Sequence, residues 1–169
     1  IEAKWLFGCP ADKIEIVVHP QSIVHSMVEF NDGSIKAQLG LPDMHIPIRY
    51  ALAYPDRLPS STPALSLPHY ANLTFEAPDY DKFPMLGFAF DAIRMGGNMP
   101  CILNAANEIA VAAFLRGEIS FTSIPLTAQA TMERTPFETT VSLEDLVETN
   151  REARSIAEQQ IRRLSFNRQ

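Results

Sequence analysis

Cysteine is scarce, glycine is sparse, and no apolar run is long. The chain of 169 residues has 2 cysteines and 7 glycines. Cys9 and Cys101 lie far apart, without a CxxC partner or a histidine at zinc-ligand spacing. They read as ordinary thiols of a reducing, cytoplasmic setting. The glycines form neither GxGxxG nor a P-loop, and GxSxG and HExxH are also missing. No apolar stretch approaches the roughly 20 residues of a membrane span, and no basic-then-apolar leader opens the chain. The formal net charge of -6 argues against nucleic acid as a partner, because phosphate binding needs a basic surface.

What is present is globular. Apolar residues make up 46% and charged residues 20%, enough for a buried core. The opening Ile1-Glu2-Ala3-Lys4-Trp5-Leu6-Phe7-Gly8 reads as the end of a helix, with Gly8 as a left-handed cap and Pro10 blocking continuation. With no capping residue and barely two turns, this helix is marginal alone, and polypeptide is expected ahead of Ile1.

Residues 14–40 carry strand patterns. Ile14–Val18 is a β-branched run ended by Pro20. Ile23–Phe30 is apolar on both faces, which calls for a covering helix or second subunit. Asn31-Asp32-Gly33-Ser34 predicts a turn, followed by an alternating Ile35, Ala37 and Leu39. A helix is expected over 43–54, capped by Asp43 and stopped at Tyr54-Pro55. Residues 55–80 hold five prolines and read as a stiff connector, with a short strand at Leu73–Phe75. Four helices follow: Phe83–Met95; Asn98 as cap to near Gly117; Ser123 to before Pro136; and a Ser142 cap to about Leu164. In the last, Leu143, Leu146, Val147, Ala157, Ile161 and Leu164 are expected to share one stripe. The fold class is therefore α+β. A sheet-and-helix region (1–54) and a Pro-rich linker (55–80) precede a four-helix bundle (81–169).

Candidate chemistry clusters in His19-Pro20-Gln21-Ser22-Ile23-Val24-His25-Ser26-Met27. Two imidazoles and two hydroxyls at a strand junction suit a phosphate or hydroxyl ligand. They equally suit buried histidines bonded to backbone. Leu41-Pro42-Asp43-Met44 joins strand to helix, where ligands often lie, though a methionine there also serves as core filler. Asn104 and Glu108, four apart on an apolar helix, read as a buried clamp on a neighbouring loop or as a ligand site. Asp79 and Asp81 read as capping carboxylates rather than metal ligands.

These residues also carry a resemblance. The stretches IEAKWLF, VVHPQSIVHSMVEFNDGS, AQLGLPDM, IPIRYALAYPDR, LTFEAPDYDKFP and LNAANEIAVAAFL resemble the 1-deoxy-D-xylulose 5-phosphate reductoisomerase family over nearly the whole chain. Departures concentrate in the Ser60–His69 connector. The resemblance implies part of a central catalytic domain plus a C-terminal helical domain. It further implies that the family enzyme isomerises and then reduces 1-deoxy-D-xylulose 5-phosphate to 2-C-methyl-D-erythritol 4-phosphate, on the route to isoprenoids. NADPH would supply the hydride and Mg or Mn the Lewis acid.

Under the resemblance the metal ligands and nucleotide-binding glycines lie ahead of Ile1, so no metal ligand is assigned here. Glu2 would share a helix with the last of them. His25 would be an auxiliary, substrate-side residue, with Ser22 a weaker neighbour; Pro42 and Met44 would lie near the nicotinamide. The implied partners are the missing N-terminal domain and a second copy bound through residues 14–40. The isolated chain is expected to be inactive, without bound cofactor. The alternative is a non-catalytic dimerisation or scaffold module, which would seal the His25 and Met44 face with its own side chains.

Overall fold

A computed structural model describes residues 1–166. Its elements are α1 (Glu2–Phe7), β1 (Val24–Glu29), β2 (Ile35–Leu39), α2 (His45–Ala53), α3 (Met85–Met95), α4 (Met99–Leu115), α5 (Ser123–Arg134) and α6 (Leu143–Phe166), with a 3-10 turn at Ala11–Lys13. The α+β class holds: one two-stranded antiparallel sheet and six helices. Two compact units divide them. A helical unit joins Ile1–Glu15 to the residues from Asp79 onward, and a hairpin unit spans Ile16–Pro78.

In the helical unit α4 is central, packed on α3, α5 and α6. Ala105, Ala106, Ala110 and Ala113 are fully buried on it. Their short side chains let neighbouring helices approach closely. One core cluster gathers Ala92, Met99, Ile102, Leu103, Ala128 and Ala153. A second gathers Ala110, Ala113, Ile119, Ile124 and Ile161. α1 ends at Gly8 in the left-handed conformation, as the sequence requires, and Lys4 Nζ donates to the Ile93 carbonyl at 3.2 Å. On α5, Thr127, Thr131 and Thr135 are buried. Each hydroxyl donates to the carbonyl four residues back, at 2.9, 2.8 and 2.9 Å. A hydroxyl satisfied within its own helix can sit in an apolar interface.

The stripe on α6 differs from the expected one. Leu143 is 72% exposed and Val147 63%. Ala157 and Ile161, expected on the stripe, are buried, and Thr149 and Ala153 join them four residues apart in place of Leu143 and Val147. Hydropathy alone drew attention to the larger leucine and valine, whereas close packing against α4 favours the smaller residues. Ser142 does cap this helix: its Oγ accepts from the Asp145 N–H at 3.2 Å, and the Asp145 carboxylate accepts from the Ser142 N–H at 2.8 Å.

Asn98 departs from expectation as well. It is buried, and its side chain makes no capping bond to α4. Nδ2 donates to the Pro136 carbonyl at 3.0 Å and to Thr149 Oγ1 at 3.3 Å, while Oδ1 accepts from the Glu138 N–H at 3.0 Å. Asn98 N–H in turn donates to the Glu138 carbonyl at 3.0 Å. One amide thus ties the loop between α5 and α6 to the start of α4. Gly97 permits this approach. Its φ is +53°, and a Cβ there would lie 2.0 Å from the Glu138 carbonyl oxygen.

The expected strand at Ile14–Val18 does not form. Val18 alone pairs, in an isolated bridge with Glu76, because no second strand runs beside the rest of the segment. The short strand expected at Leu73–Phe75 reduces to the same bridge.

Gly97→Ala should destabilise the helical unit by about 3 kcal/mol, through the backbone clash and the positive φ. Thermal unfolding followed by circular dichroism measures this, and an unchanged midpoint would refute the close approach at Glu138.

Candidate functional site at the β-bulge of the hairpin unit

β1 and β2 pair antiparallel, with Val24 opposite Leu39 and Ser26 opposite Gln38. Two steps on β1 therefore match one on β2, and His25 is the extra residue of a bulge. A bulge breaks the strict alternation of side chains and re-aims the residue it carries. Ile23, fully buried, precedes it, and its carbonyl accepts from the Gly40 N–H at 3.0 Å. Gly40 is buried. A Cβ built on it would sit 3.8 Å from His25 Nε2 and 3.8 Å from Ile46 Cδ1. The imidazole thus lies against the start of the loop that carries Pro42, Asp43 and Met44.

That loop is held by Asp43. Its Oδ1 accepts from the His45 N–H at 2.9 Å and lies 2.6 Å from His45 Nδ1; its Oδ2 accepts from Thr62 Oγ1 at 3.2 Å. Asp43 is expected to cap α2, but Met44 holds the cap position and makes no side-chain capping bond; Asp43 reaches the His45 N–H from one residue earlier. The His45 backbone N–H, then its side chain, then the Thr62 hydroxyl hold the Asp43 carboxyl below its usual range. Met44 is 70% exposed, and Pro42 and His25 are exposed. So the structure brings His25 beside the loop bearing Pro42 and Met44, on an open face of the hairpin unit. Ser22, exposed, takes φ +51° in the turn before the bulge.

The second histidine is bound differently. His19 Nδ1 lies 2.7 Å from the Thr74 carbonyl oxygen. An oxygen without hydrogen can only accept, so Nδ1 carries the proton. The ring stacks on Phe75 with centroids 4.6 Å apart. Here the backbone-bonded reading of the histidine holds. Gln21, passed over in the sequence, donates from Nε2 to Thr74 Oγ1 at 2.8 Å and accepts from the Thr74 N–H at 3.2 Å. No local signal announces these contacts, which join residues more than fifty apart.

The other candidates resolve into local structure. Asn104 Nδ2 donates to Glu108 Oε1 at 3.0 Å, and Glu108 pairs with Arg154 on α6. All three side chains meet solvent or its edge and none grips a loop, so the buried clamp expected of Asn104 and Glu108 is not there. Asn98 performs that role instead. Asp79 accepts from the Lys82 N–H at 2.9 Å and pairs with its ammonium, which closes the turn ahead of α3. Burial raises the Cys101 thiol above its usual pKa, and it donates to the Leu146 carbonyl at 3.5 Å. Among the described residues no three His, Cys, Asp or Glu side chains converge as a metal cage would require. Nor is any helix among them long and apolar enough to cross a membrane.

Both faces of the hairpin stay uncovered by the unit itself. Met27, Val28, Phe30, Ile35 and Leu39 are exposed, Val28 by 58%.

Comparison with known proteins is consistent across sequence and structure. Residues 39–156 match the family model described as the DXP reductoisomerase C-terminal domain. The 1-deoxy-D-xylulose 5-phosphate reductoisomerase of Bacteroides thetaiotaomicron is 55% identical over 93% of this chain and 40% of its own length. That of Pelotomaculum thermopropionicum is 53% identical over 99% of this chain and 43% of its own. The solved Zymomonas mobilis enzyme, in complex with NADPH, superposes with a TM-score of 0.87 at 46% identity, over 95% of this chain and 42% of that one. A reductoisomerase solved with NADPH, fosmidomycin and magnesium superposes at 0.86 with 40% identity, over 95% of this chain and 42% of that one. The chain therefore spans about two fifths of the length of the relatives it matches.

The Asp43 carboxyl titrates below the usual aspartate value of 3.8. Its contribution to anchoring α2 is therefore complete above that pH and is lost as pH falls through the lower folded value. Carboxyl NMR titration should find Asp43 depressed, with the His45 amide moving in step; a midpoint at or above the usual value would rule the anchor out.

Proposed function

Because the chain belongs to the DXP reductoisomerase C-terminal domain family, we propose that it supplies one wall of a reductoisomerase active site and the helical domain that supports it. The complete enzyme converts 1-deoxy-D-xylulose 5-phosphate to 2-C-methyl-D-erythritol 4-phosphate by skeletal isomerisation and reduction. NADPH supplies the hydride and a divalent metal, Mg or Mn, supplies Lewis acidity.

One observation carries this reading: His25 and Met44 stand open to solvent at the bulge and the adjoining loop. A self-sufficient scaffold would be expected to seal that face. The ring nitrogens of His25 offer hydrogen bonds to a sugar hydroxyl or phosphate oxygen, and so hold the substrate against the wall. Met44 and Pro42 present an apolar, adaptable surface suited to the flat nicotinamide ring. Among the described residues the donor set does not fit a metal cage, so no step through the metal is assigned to them. In this reading the chemistry is shared with the rest of the complete enzyme, and the isolated chain is proposed to turn over no substrate.

The exposed apolar faces of β1 and β2 support a second role in the same assembly, a homodimer contact through residues 14–40. An uncovered two-stranded hairpin is marginal in water, and a second copy would cover it.

In a complete reductoisomerase containing this chain, His25→Gln should raise KM for the sugar phosphate on the order of tenfold, with the unfolding midpoint unchanged. A lowered midpoint with unaltered kinetics would identify His25 as a packing residue. For the association, sedimentation of the chain should give a dimer that Val28→Lys converts to monomer; a wild-type monomer at high concentration would remove the hairpin interface.

A further inference from the structure

Two short segments of the hairpin unit meet at the turn that feeds β1. Residues 18–22 are tied to residues 74–76 by backbone and side chain together. Val18 and Glu76 exchange N–H···O bonds, both 2.9 Å. His19 Nδ1 donates to the Thr74 carbonyl, and Gln21 pairs with the Thr74 hydroxyl and amide. The turn closes on itself through Ser22 N–H to the His19 carbonyl at 3.0 Å. Three residues after Ser22 comes His25, the extra residue of the bulge.

We propose that His19 is a positioning residue for His25. Its Nδ1–H pins the His19-Pro20-Gln21-Ser22 turn to the Thr74 carbonyl and so fixes the direction from which the chain enters the bulge. The inference rests on the reading of His25 as a substrate-side residue.

Two features favour His19 over its neighbours. Its bond, 2.7 Å long, is shorter than either Gln21–Thr74 bond, and its target is a backbone carbonyl that cannot rotate away. The Phe75 stack, 18° from parallel, holds the ring plane so that Nδ1 keeps facing that carbonyl. The opposite nitrogen, Nε2, is sealed from solvent without a hydrogen-bond partner among the described residues. A buried acceptor of this kind is ordinarily avoided, so the ring is not there because it suits its surroundings all round. One edge is used, and that edge holds the turn.

The two edges of the ring can be separated by substitution. Asparagine places an N–H donor where Nδ1 stands; glutamine places its amide near Nε2 instead. In the chain labelled with ¹⁵N, His19→Asn should leave the His25 ring signals and the Gly40 amide where they are. His19→Gln should displace both, with helical circular dichroism unchanged. Unmoved His25 signals in His19→Gln, or equal displacement in both variants, would overturn the proposal. Should His19→Gln lose the hairpin signals altogether, Gln21→Ala decides. It removes the neighbouring tie but keeps His19, so the His25 signals should stay; their displacement would assign the pin to Gln21. In a complete reductoisomerase kcat should fall on the order of tenfold in His19→Gln and stay near parental in His19→Asn. Displaced His25 signals with unaltered kinetics would support the pin and refute the substrate-side reading of His25.

Discussion

The hydrogen bond from the Gly40 amide to the Ile23 carbonyl joins the two strands just where β1 carries one residue more than β2. Everything at the candidate site follows from that surplus residue. In a regular ladder each side chain at this end would alternate between two faces. With His25 inserted, the alternation breaks, and the imidazole comes to rest against Gly40 and the loop that runs on to Met44. Ile23, buried beside the closure, anchors one end of the arrangement, and Asp43, gripping the His45 amide, anchors the other. A site made this way depends on two short-range contacts and not on a deep pocket.

The helical unit is closed by a different contact. Asn98 and Gly97 bring a loop against the first turn of α4 through an amide that bonds on both edges and a residue with no side chain. The alanine-rich α4 then lets three helices pack tightly around one axis. Such packing gives the helical unit a close-set core of small side chains.

The family assignment sharpens what this chain lacks as much as what it has. Relatives more than twice its length match it over nearly all of its own residues. The His25 and Met44 face and the hairpin strands meet solvent here, and they are the surfaces for which we propose cover by polypeptide or ligand outside these residues. An apolar strand exposed on both sides is otherwise hard to reconcile with a stable isolated fold.

Sequence alone determined the helices, their ends and the class of fold, because those rest on neighbours three and four residues apart and on caps within one turn. Gly8, Ser142 and the placement of Asp43 at the start of α2 were legible for that reason. It did not determine which edge of His19 is used, that His25 sits on a bulge, or that Asn98 grips a loop forty residues away. Those depend on contacts between segments distant in the chain, where residue type permits many partners and only the packed structure selects one. The missing strand at Ile14–Val18 and the shifted stripe on α6 teach the same point. Hydrophobicity says what can be buried, but the geometry of the neighbour decides what is.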